Sequence, residues 1–381
     1  MIYFDNGATT FPKPKTVVNA VNRAMLTGAN PGRSGHQMSV RAGELLYQCR
    51  VDAARLFDFD KPENVVFTLN CTTALNTVIQ GLLRGGGHAV ISSLEHNAVL
   101  RPLEALRSRG VTYSVAGVEE GDSEQTVNNF RRALQPDTKL VVCTHASNVF
   151  GIRLPVERIA ALCRIYHIPF CLDAAQSAGV FPISMRDSCI DYLCTAGHKG
   201  LYGPMGTGLL LVNSERLPHS LIQGGTGSLS AQRKMPDMLP DRYESGTPNL
   251  PGIAGLNAGI RFVSRQGIQG ILRHELRLAQ RLYDMLSVCD GVQLYTARPE
   301  ADTHAPVVSF NVGNYDSEEV ASVLNDRYGI AVRAGLHCAP LAHEYFGTQY
   351  RGTVRAVMSV FNNNAQVERL CEAINKISKK A

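Results

Sequence analysis

Short apolar segments alternate with amphipathic segments along residues 62–215. The apolar segments are rich in β-branched residues and short enough to be buried strands: NVVFTL, HAVISS, TKLVVCTH, IPFCLDAA, DYLCTAG and GTGLLLV. Helical patterns lie between several of them, as in NAVLRPLEALRSRG and VERIAALCRIYH. Buried strands separated by such helices predict an α/β fold whose mostly parallel sheet is covered on both faces.

The pattern changes beyond residue 215. A loop containing Pro and Arg at 231–250 precedes a long amphipathic helix near 270–288, and then come APVVSFNV, a helix at 317–327, GIAVRAG and a terminal helix at 365–378. These elements predict a smaller α+β domain. We therefore predict a large cofactor-binding domain over residues 15–260 and a small domain over 261–381, with residues 1–14 packing near the small one. A length of 381 residues agrees with two domains.

Composition narrows the possible functions. The formal charge is only +5 and the Lys and Arg residues are scattered, so we expect neither nucleic-acid nor membrane binding. The ten cysteines include no CxxC pair, so the spacing of a zinc site is absent and no metal is expected. The start MIYFDNGATT has no basic segment before an apolar core, so we expect no signal peptide. Free thiols without an export signal favour the reducing cytoplasm.

Polar side chains follow the predicted strands at the points where the strands end. Ligands of open α/β sheets bind beyond the carboxyl ends of the strands, so these residues form a candidate site. They are Asn70, Cys71, Thr72 and Thr73; Glu95 and His96; Ser147 and Asn148; Asp173 and Gln176; and Thr195, His198 and Lys199.

Three features of this set fit one cofactor. Lys199 lies in the glycine-rich stretch TAGHKGLYGPMGTG, and a lysine shielded from water becomes a neutral, nucleophilic amine. A buried Asp173 needs a cationic partner, and a protonated pyridine nitrogen is one. Thr72 and Thr73 open a helix, whose free N–H groups suit a phosphate. Each feature alone is more often structural, as a loop lysine or a capping residue, but together they describe a site for pyridoxal 5′-phosphate.

Six sequence blocks also resemble a known family. YFDNGATTFPKP, SLEHNA, DAAQSAG, GHKGLYGPMGTG, RYESGTPN and RAGLHCAP are similar to segments of the class V aminotransferase-like enzymes, and among these to the cysteine desulfurases. The resemblance extends from residue 3 to about residue 370. It implies fold type I of the pyridoxal-phosphate enzymes and a homodimer.

The resemblance implies roles around the cofactor ring. Lys199 would bond covalently to the cofactor aldehyde, and Asp173 would pair with the pyridine nitrogen. Gln176 would contact the ring hydroxyl. His96 would stack on the ring, and it is also a candidate acid–base group. Asn148 would lie near the ring and the substrate.

The phosphate contacts implied by the resemblance are partly altered in this chain. The segment Cys71–Thr72 and His198 would hold the phosphate, and Thr247 would reach the phosphate of the other subunit's cofactor. Ala196 stands where the family often has a serine that contacts the phosphate. Either Thr195 supplies the missing contact or the contact is lost.

Two further residues would decide the reaction. Arg355 resembles the arginine that binds the substrate carboxylate, which it can do with two parallel hydrogen bonds. Cys338 occupies the position of the nucleophile that takes sulfur from the substrate. Its attack needs a thiolate, and His337 or the substrate thiol would assist its deprotonation. The loop around Cys338 is short, as in the second desulfurase group, which includes selenocysteine lyases.

The sequence thus predicts an enzyme, a pyridoxal-phosphate-dependent cysteine desulfurase. It would convert L-cysteine to L-alanine and pass the Cys338 persulfide to a protein acceptor. Three alternatives remain open: a selenocysteine lyase acting on L-selenocysteine, another class V lyase or aminotransferase, and a non-catalytic partner that kept the fold. Thr73 and Leu336 depart from the family pattern and leave the substrate preference and the acceptor undecided.

Overall fold

Twelve strands and eleven α-helices are assigned in the part of the chain that this computed structural model describes, residues 1–31 and 34–379. The strands are β1 (Ile2–Tyr3), β2 (Val65–Thr68), β3 (Gly87–Ser92), β4 (Val111–Ala116), β5 (Thr138–Thr144), β6 (Phe170–Asp173), β7 (Tyr192–Ala196), β8 (Gly208–Val212), β9 (Val292–Leu294), β10 (Val307–Val312), β11 (Ile330–Ala331) and β12 (Val354–Val357). The helices are α1 (Lys15–Thr27), α2 (Gln37–Leu56), α3 (Cys71–Leu82), α4 (Asn97–Leu106), α5 (Ser123–Ala133), α6 (Val156–Ile165), α7 (Leu250–Gln266), α8 (Ile268–Ser287), α9 (Ser317–Tyr328), α10 (Pro340–Tyr345) and α11 (Asn364–Ser378).

A seven-stranded sheet in the order β2-β8-β7-β6-β5-β3-β4 forms the centre of the larger part of the molecule. Strand β8 runs antiparallel to β2 and β7, and the other neighbouring strands are parallel. The predicted mostly parallel sheet is therefore confirmed, and with it the predicted fold class.

Helices cover both faces of this sheet. Successive residues of β5 alternate between two cores: Val141 and Cys143 pack on one side, and Leu140 and Val142 pack on the other. Because side chains of a strand point alternately to the two faces, a strand buried on both sides must be apolar throughout. The continuous apolar segments of the sequence have this physical origin.

A second, smaller sheet lies in the C-terminal third. Strands β12, β10 and β9 form an antiparallel sheet, and β1 pairs in parallel with β11. Residues from α8, α9 and α11 pack with these strands in a separate core that also contains Ile2 and Phe4. The predicted domain boundaries stay a prediction; helix α7 runs across the one at residues 260 and 261.

Helix α7 was not predicted from the sequence. It packs against α1 and α2 and is buried on most of its sides, which removes the amphipathic pattern that indicates a helix. It also contains glycines, which have low helix propensity. Gly259 is required by packing, since a Cβ there would lie 2.2 Å from the Leu201 carbonyl oxygen. The helix thus supports the turn that follows Lys199.

No helix in the described ranges is both long and apolar enough to cross a membrane.

A buried ion pair ties α2 to the loop before α7. Arg50 donates two hydrogen bonds to Glu244, at 2.7 and 2.6 Å, and lies over the Phe67 ring. Glu244 also accepts from the Phe67 backbone N–H at 2.7 Å. Removal of one partner leaves the other charge buried without compensation.

We expect Glu244→Ala to lower the free energy of unfolding by about 3–5 kcal/mol because Arg50 is left unpaired. Glu368→Ala, which breaks the exposed Arg281–Glu368 pair, is the control and should cost less than about 1 kcal/mol. Urea denaturation followed by fluorescence measures both. Equal, small losses in the two variants would contradict this view of the pair.

Candidate active site

A cavity opens at the carboxyl edge of the large sheet, and most of the predicted site residues line it. In register, Thr144 of β5 lies beside Asp173 of β6, and Asp173 lies beside Cys194 of β7. The ends of three neighbouring strands therefore meet at this edge. The lining residues are Asn70, Cys71, Thr72, Leu75, His96, Ala98, Thr144, Asn148, Asp173, Ala175, Gln176, Ala196, His198 and Lys199.

Lys199 sits on a tight turn directly after β7. Gly203 N–H donates to the Gly197 carbonyl at 2.8 Å, and Tyr202 N–H donates to the Lys199 carbonyl at 2.8 Å. Gly197 must lack a side chain, since a Cβ would lie 2.2 Å from the Thr207 hydroxyl oxygen. Burial lowers the pKa of the Lys199 amine, and the nearby Asp173 only partly opposes this. The glycine-rich turn therefore places a lysine that readily becomes neutral in the cavity.

The N-terminal segment holds this turn in place. The His198 carbonyl accepts from Thr10 N–H at 3.1 Å, from the hydroxyls of Thr9 and Thr10 at 3.1 and 3.2 Å, and from Lys13 Nζ at 2.7 Å. Burial lowers the pKa of Lys13 to about 8. The sequence did not identify Lys13 as a site residue, although it lies in the block FPKP. Its partner, the His198 carbonyl, is too distant in the chain for a local pattern to reveal the contact.

Asp173 ends β6 and is buried. Its Oδ1 accepts from Ala175 N–H at 2.9 Å and from the Cys71 thiol at 3.4 Å. Burial, with Asp173 adding to it, raises the pKa of Cys71 well above its ordinary range, so Cys71 stays a thiol and donates. No donor to Oδ2 is found among the described residues, so one carboxylate oxygen stays available.

Helix α3 begins at the cavity wall. Asn70 caps it by accepting from Thr73 N–H at 2.8 Å, and Thr72 in the first turn is exposed. His198 also lines the cavity, and its Nδ1 is buried without a partner in the described part of the chain. Burial lowers the pKa of His198 to about 4, so the ring is neutral at pH 7. A helix N-terminus and a free imidazole nitrogen thus face one cavity.

The structure does not bring Thr195 to the cavity. Side chains alternate along β7, and Ala196 lines the cavity while Thr195 points to the other face of the sheet. The Thr195 hydroxyl is fully buried and donates to the Ala174 carbonyl at 3.3 Å. Of the two alternatives left open by the sequence, this geometry favours loss of the contact at Ala196.

His96 caps helix α4 with its own ring. Its Nδ1 accepts from Ala98 N–H at 3.0 Å, so Nδ1 carries the lone pair and Nε2 carries the proton. Burial lowers the pKa of His96 to about 4, which keeps the ring neutral at pH 7. The cap therefore fixes both the tautomer and the orientation of the ring at the cavity wall.

Arg355 lies behind the cavity and is almost fully buried. It donates to the Asn148 carbonyl at 2.6 Å and forms an ion pair with Asp5 at 3.0 Å. Its Nε is buried and has no partner among residues 1–31 and 34–379. Burial lowers its pKa to about 10, so the guanidinium remains charged at pH 7. One edge of the group is thus free for a further anion. Asp5 is a second residue that sequence reasoning missed.

Cys338 lies on a turn that the cavity residue Asn148 contacts, and it is the one exposed cysteine among the ten. The backbone φ angles of His337 and Cys338 are 48° and 58°, in the left-handed region, where a non-glycine residue costs of order 1–3 kcal/mol. Two hydrogen bonds from the cavity side hold the turn. Asn148 Nδ2 donates to the His337 carbonyl, and Asn97 N–H donates to the Cys338 carbonyl, both at 2.7 Å.

His337 is poorly suited to take a proton from Cys338. Its ring is buried, and burial, reinforced by the nearby Arg355, holds its pKa far below the ordinary range. Its Nε2 faces the Thr353 carbonyl at 3.0 Å. The predicted assistance from His337 is therefore not supported by this environment, and deprotonation by the substrate thiol is the remaining route.

Thr247 lies outside the Lys199 cavity. It is exposed on the loop before α7 and lines a separate cavity of about 510 Å³, beside Tyr47 of α2 and Leu69. Within one subunit Thr247 shares this cavity with Thr73, and neither residue lines the cavity of Lys199.

Comparisons with known proteins identify the family of this chain. The family model for aminotransferase class V matches residues 2–370. The chain belongs to the class V aminotransferase family. A probable cysteine desulfurase of Methanothermobacter thermautotrophicus is 32% identical over 99% of this chain and 94% of its own length. The apo cysteine desulfurase of Thermococcus onnurineus superposes with a TM-score of 0.89 at 32% identity, covering 100% of this chain and 95% of that one. The Escherichia coli cysteine desulfurase CsdA superposes with a TM-score of 0.86 at 25% identity, covering 99% of this chain and 94% of that one.

Glu95 is a buried acid that this class V aminotransferase fold places beside the site. Its Oε1 accepts from the Ser92 hydroxyl at 2.5 Å and from Thr144 N–H at 2.7 Å. Its Oε2 is buried without a partner in the described ranges. Burial raises its pKa from 4.5 to about 8, so the group is largely protonated at pH 7. Glu95 thus joins the end of β5 to the loop that carries His96.

We expect Glu95→Gln to change how stability depends on pH. Between pH 4.5 and 8 the unfolded acid loses its proton while the folded one keeps it, so the wild type loses stability as pH rises through this range. The glutamine variant lacks this loss. Urea midpoints of both proteins at pH 5, 6.5 and 8 give the difference. A difference that stays constant across this range would contradict the assignment of a neutral Glu95.

Proposed function

We propose that the protein is a pyridoxal-phosphate-dependent cysteine desulfurase that converts L-cysteine to L-alanine and leaves a persulfide on Cys338. One observation carries the proposal. Lys199, an amine whose pKa is lowered by burial, and Asp173, a buried carboxylate, line one cavity, and Asn148 of the same cavity is hydrogen-bonded to the turn that carries the exposed Cys338. The names of the full-length relatives agree with this activity.

The residues around the cavity fit pyridoxal phosphate. The available oxygen of Asp173 suits a protonated ring nitrogen, and the Lys199 amine suits the aldehyde. Thr72 at the start of α3 and the unpartnered His198 Nδ1 suit the phosphate. Gln176, whose Nε2 donates to the Gly7 carbonyl at 3.1 Å, and Cys71 complete the surroundings.

When bound, the cofactor supplies an electron-accepting ring that makes the Cα proton of an amino acid removable. Lys199, whose pKa is lowered by burial, is the base that takes this proton. The neutral His96 ring, fixed by its cap at the cavity wall, would cover one face of the cofactor ring and shield it from water. Asn148 lines the cavity and its carbonyl accepts from Arg355, so it joins the cavity to that guanidinium.

The carboxylate of the substrate would bind Arg355. Its buried Nε needs an acceptor, and a carboxylate supplies one together with charge compensation. Asp5 and the Asn148 carbonyl hold the rest of the guanidinium in place, so orientation is fixed before the substrate arrives.

The sulfur step uses Cys338 as nucleophile. Its thiolate attacks the sulfur of the substrate and forms an S–S bond, while the substrate's C–S bond breaks. The electron pair of that bond remains on the substrate carbon, which takes up a proton and leaves as part of alanine. The balance is L-cysteine plus the Cys338 thiol giving L-alanine plus the Cys338 persulfide, with no external oxidant.

The remaining parts of the proposal concern partners. The exposed apolar residues Tyr47, Leu69 and Ile222 beside Thr247 support a homodimer in which Thr247 reaches the partner subunit's cofactor phosphate. The exposed position of Cys338 supports transfer to a protein acceptor. Ten free cysteines support a reducing, cytoplasmic location.

Cys338→Ala should lower the rate of alanine formation from L-cysteine by about 100-fold or more, because the attacking thiolate is gone. Cofactor absorbance should persist, since Cys338 does not line the cavity. Alanine is quantified by chromatography and sulfide colorimetrically. Cys289→Ala, which removes another thiol that is not fully buried, is the control and should match the wild type. Undiminished alanine and sulfide from Cys338→Ala would refute the proposed role.

A further inference from the structure

A tyrosine in an unusual backbone conformation closes the turn that carries Lys199. The φ angle of Tyr202 is 56°, in the left-handed region, which a bulky side chain adopts only at a cost. The Tyr202 N–H donates to the Lys199 carbonyl at 2.8 Å, so the conformation of this residue is part of the turn. Because such a conformation persists only where the surrounding structure fixes it, other contacts of Tyr202 must hold it.

The hydroxyl of Tyr202 makes two contacts far from the turn in sequence. It donates to Glu275 Oε1 at 3.0 Å and accepts from the Val360 N–H at 3.2 Å. Glu275 lies on α8, and Val360 follows β12, the strand that carries Arg355. The hydroxyl therefore ties the lysine turn to two elements of the C-terminal third.

Apolar groups enclose these contacts. Tyr202 is 1% exposed and Glu275 is 3% exposed. The rings of Phe262 and Phe361 pack edge-on against the Tyr202 ring, with centroids 5.2 and 5.9 Å away. Burial, reinforced by Glu275, raises the pKa of Tyr202 well above its ordinary range, so the hydroxyl keeps its proton and donates. Polar groups buried in such surroundings need their partners, so the contacts fix the position of the hydroxyl.

Glu275 serves as an acceptor without needing a charge. Burial raises its pKa from 4.5 to about 8, and the hydrogen bonds from Tyr202 and Val360 only partly oppose this. The carboxyl group is thus largely neutral at pH 7, and a neutral carboxyl still has an oxygen that accepts. Neither Tyr202 nor Glu275 lines the Lys199 cavity, so any role in the site acts through the turn.

We propose that Tyr202 is a positioning residue for Lys199: its hydroxyl, held by Glu275 and the Val360 N–H, fixes the left-handed conformation that closes the lysine turn. We call these two contacts the hydroxyl anchor. The N-terminal segment holds the turn at the His198 carbonyl, and the hydroxyl anchor holds its other end. Without the anchor the strained residue relaxes and the amine loses its fixed position in the cavity. The effect on alanine formation rests on the proposed function, whereas the anchor itself does not.

Four variants separate the anchor from a general loss of stability. Tyr202→Phe removes only the hydroxyl. Glu275→Leu removes its acceptor, whereas Glu275→Gln keeps an acceptor oxygen at the same place. Leu282→Ala is the control: Leu282 is fully buried on the same helix, and its truncation lowers stability without removing a contact of the Tyr202 hydroxyl.

The position of the amine is measured through its reaction with the cofactor. Each purified protein is titrated with pyridoxal phosphate and reduced with borohydride. Peptide mass spectrometry gives the fraction of Lys199 that carries a pyridoxyl group, and hence an apparent dissociation constant. The kcat and KM for alanine formation from L-cysteine and the urea midpoint are measured in parallel.

We expect Tyr202→Phe and Glu275→Leu to raise the apparent dissociation constant about 10-fold, the effect of losing one buried hydrogen bond. The kcat should fall about 10- to 100-fold, as for a displaced reacting group, while KM for L-cysteine stays at the wild-type value. Glu275→Gln should match the wild type. Leu282→Ala should lower the urea midpoint and leave the dissociation constant and kcat unchanged.

The proposal is overturned if Tyr202→Phe binds and reacts like the wild type, or if Glu275→Gln fails as Glu275→Leu does. It is also overturned if Leu282→Ala shows the same losses, which would mean a general effect of stability. If Glu275→Leu does not fold, Tyr202→Phe and Leu282→Ala decide. A wild type that forms the Lys199 adduct but no alanine would refute the proposed function, while the dissociation constants would still decide the anchor. A wild type without that adduct would refute both.

Discussion

The site depends on keeping water away from the amine of Lys199. A lysine in water is protonated at pH 7 and has no lone pair for an aldehyde, and each unit by which its pKa falls corresponds to about 1.4 kcal/mol of lost stabilisation of the charged form. The turn between Gly197 and Gly203 contributes to this because its close backbone contacts set Lys199 in the cavity with only part of its surface exposed. Asp173 moderates the effect and at the same time offers a carboxylate to a cationic ring.

The N-terminal segment is the part of the chain that joins the elements of the site. Thr10 and Lys13 hold the Lys199 turn through the His198 carbonyl, and Gly7 receives the Gln176 amide. Asp5 fixes Arg355. The lysine turn, Gln176 and Arg355 are therefore all contacted by one short stretch of the chain, residues 5–13. Because its residues contact all three parts, a displacement of this stretch would disturb all three together.

The sequence was sufficient to predict the sheet and most residues of its carboxyl edge, since apolar runs mark strands and polar groups follow them. The resemblance to the family left open whether Thr195 replaces the phosphate contact that is missing at Ala196. The alternation of side chains along a strand places these two neighbouring residues on opposite faces of the sheet. Helix α7 was not predicted because it is buried on most of its sides and therefore lacks the helical alternation of apolar and polar residues. Asp5 and Lys13 were not predicted for another reason: their contacts join residues that are distant in sequence, and such contacts leave no local pattern.

The most direct test of the account is the covalent state of Lys199. The purified protein, incubated with pyridoxal phosphate, is reduced with borohydride, digested and examined by peptide mass spectrometry. The account predicts a pyridoxyl group on the ε-nitrogen of Lys199, none on Lys13, and none in a Lys199→Ala variant. An unmodified Lys199, or a pyridoxyl group carried by another lysine in its place, would contradict it.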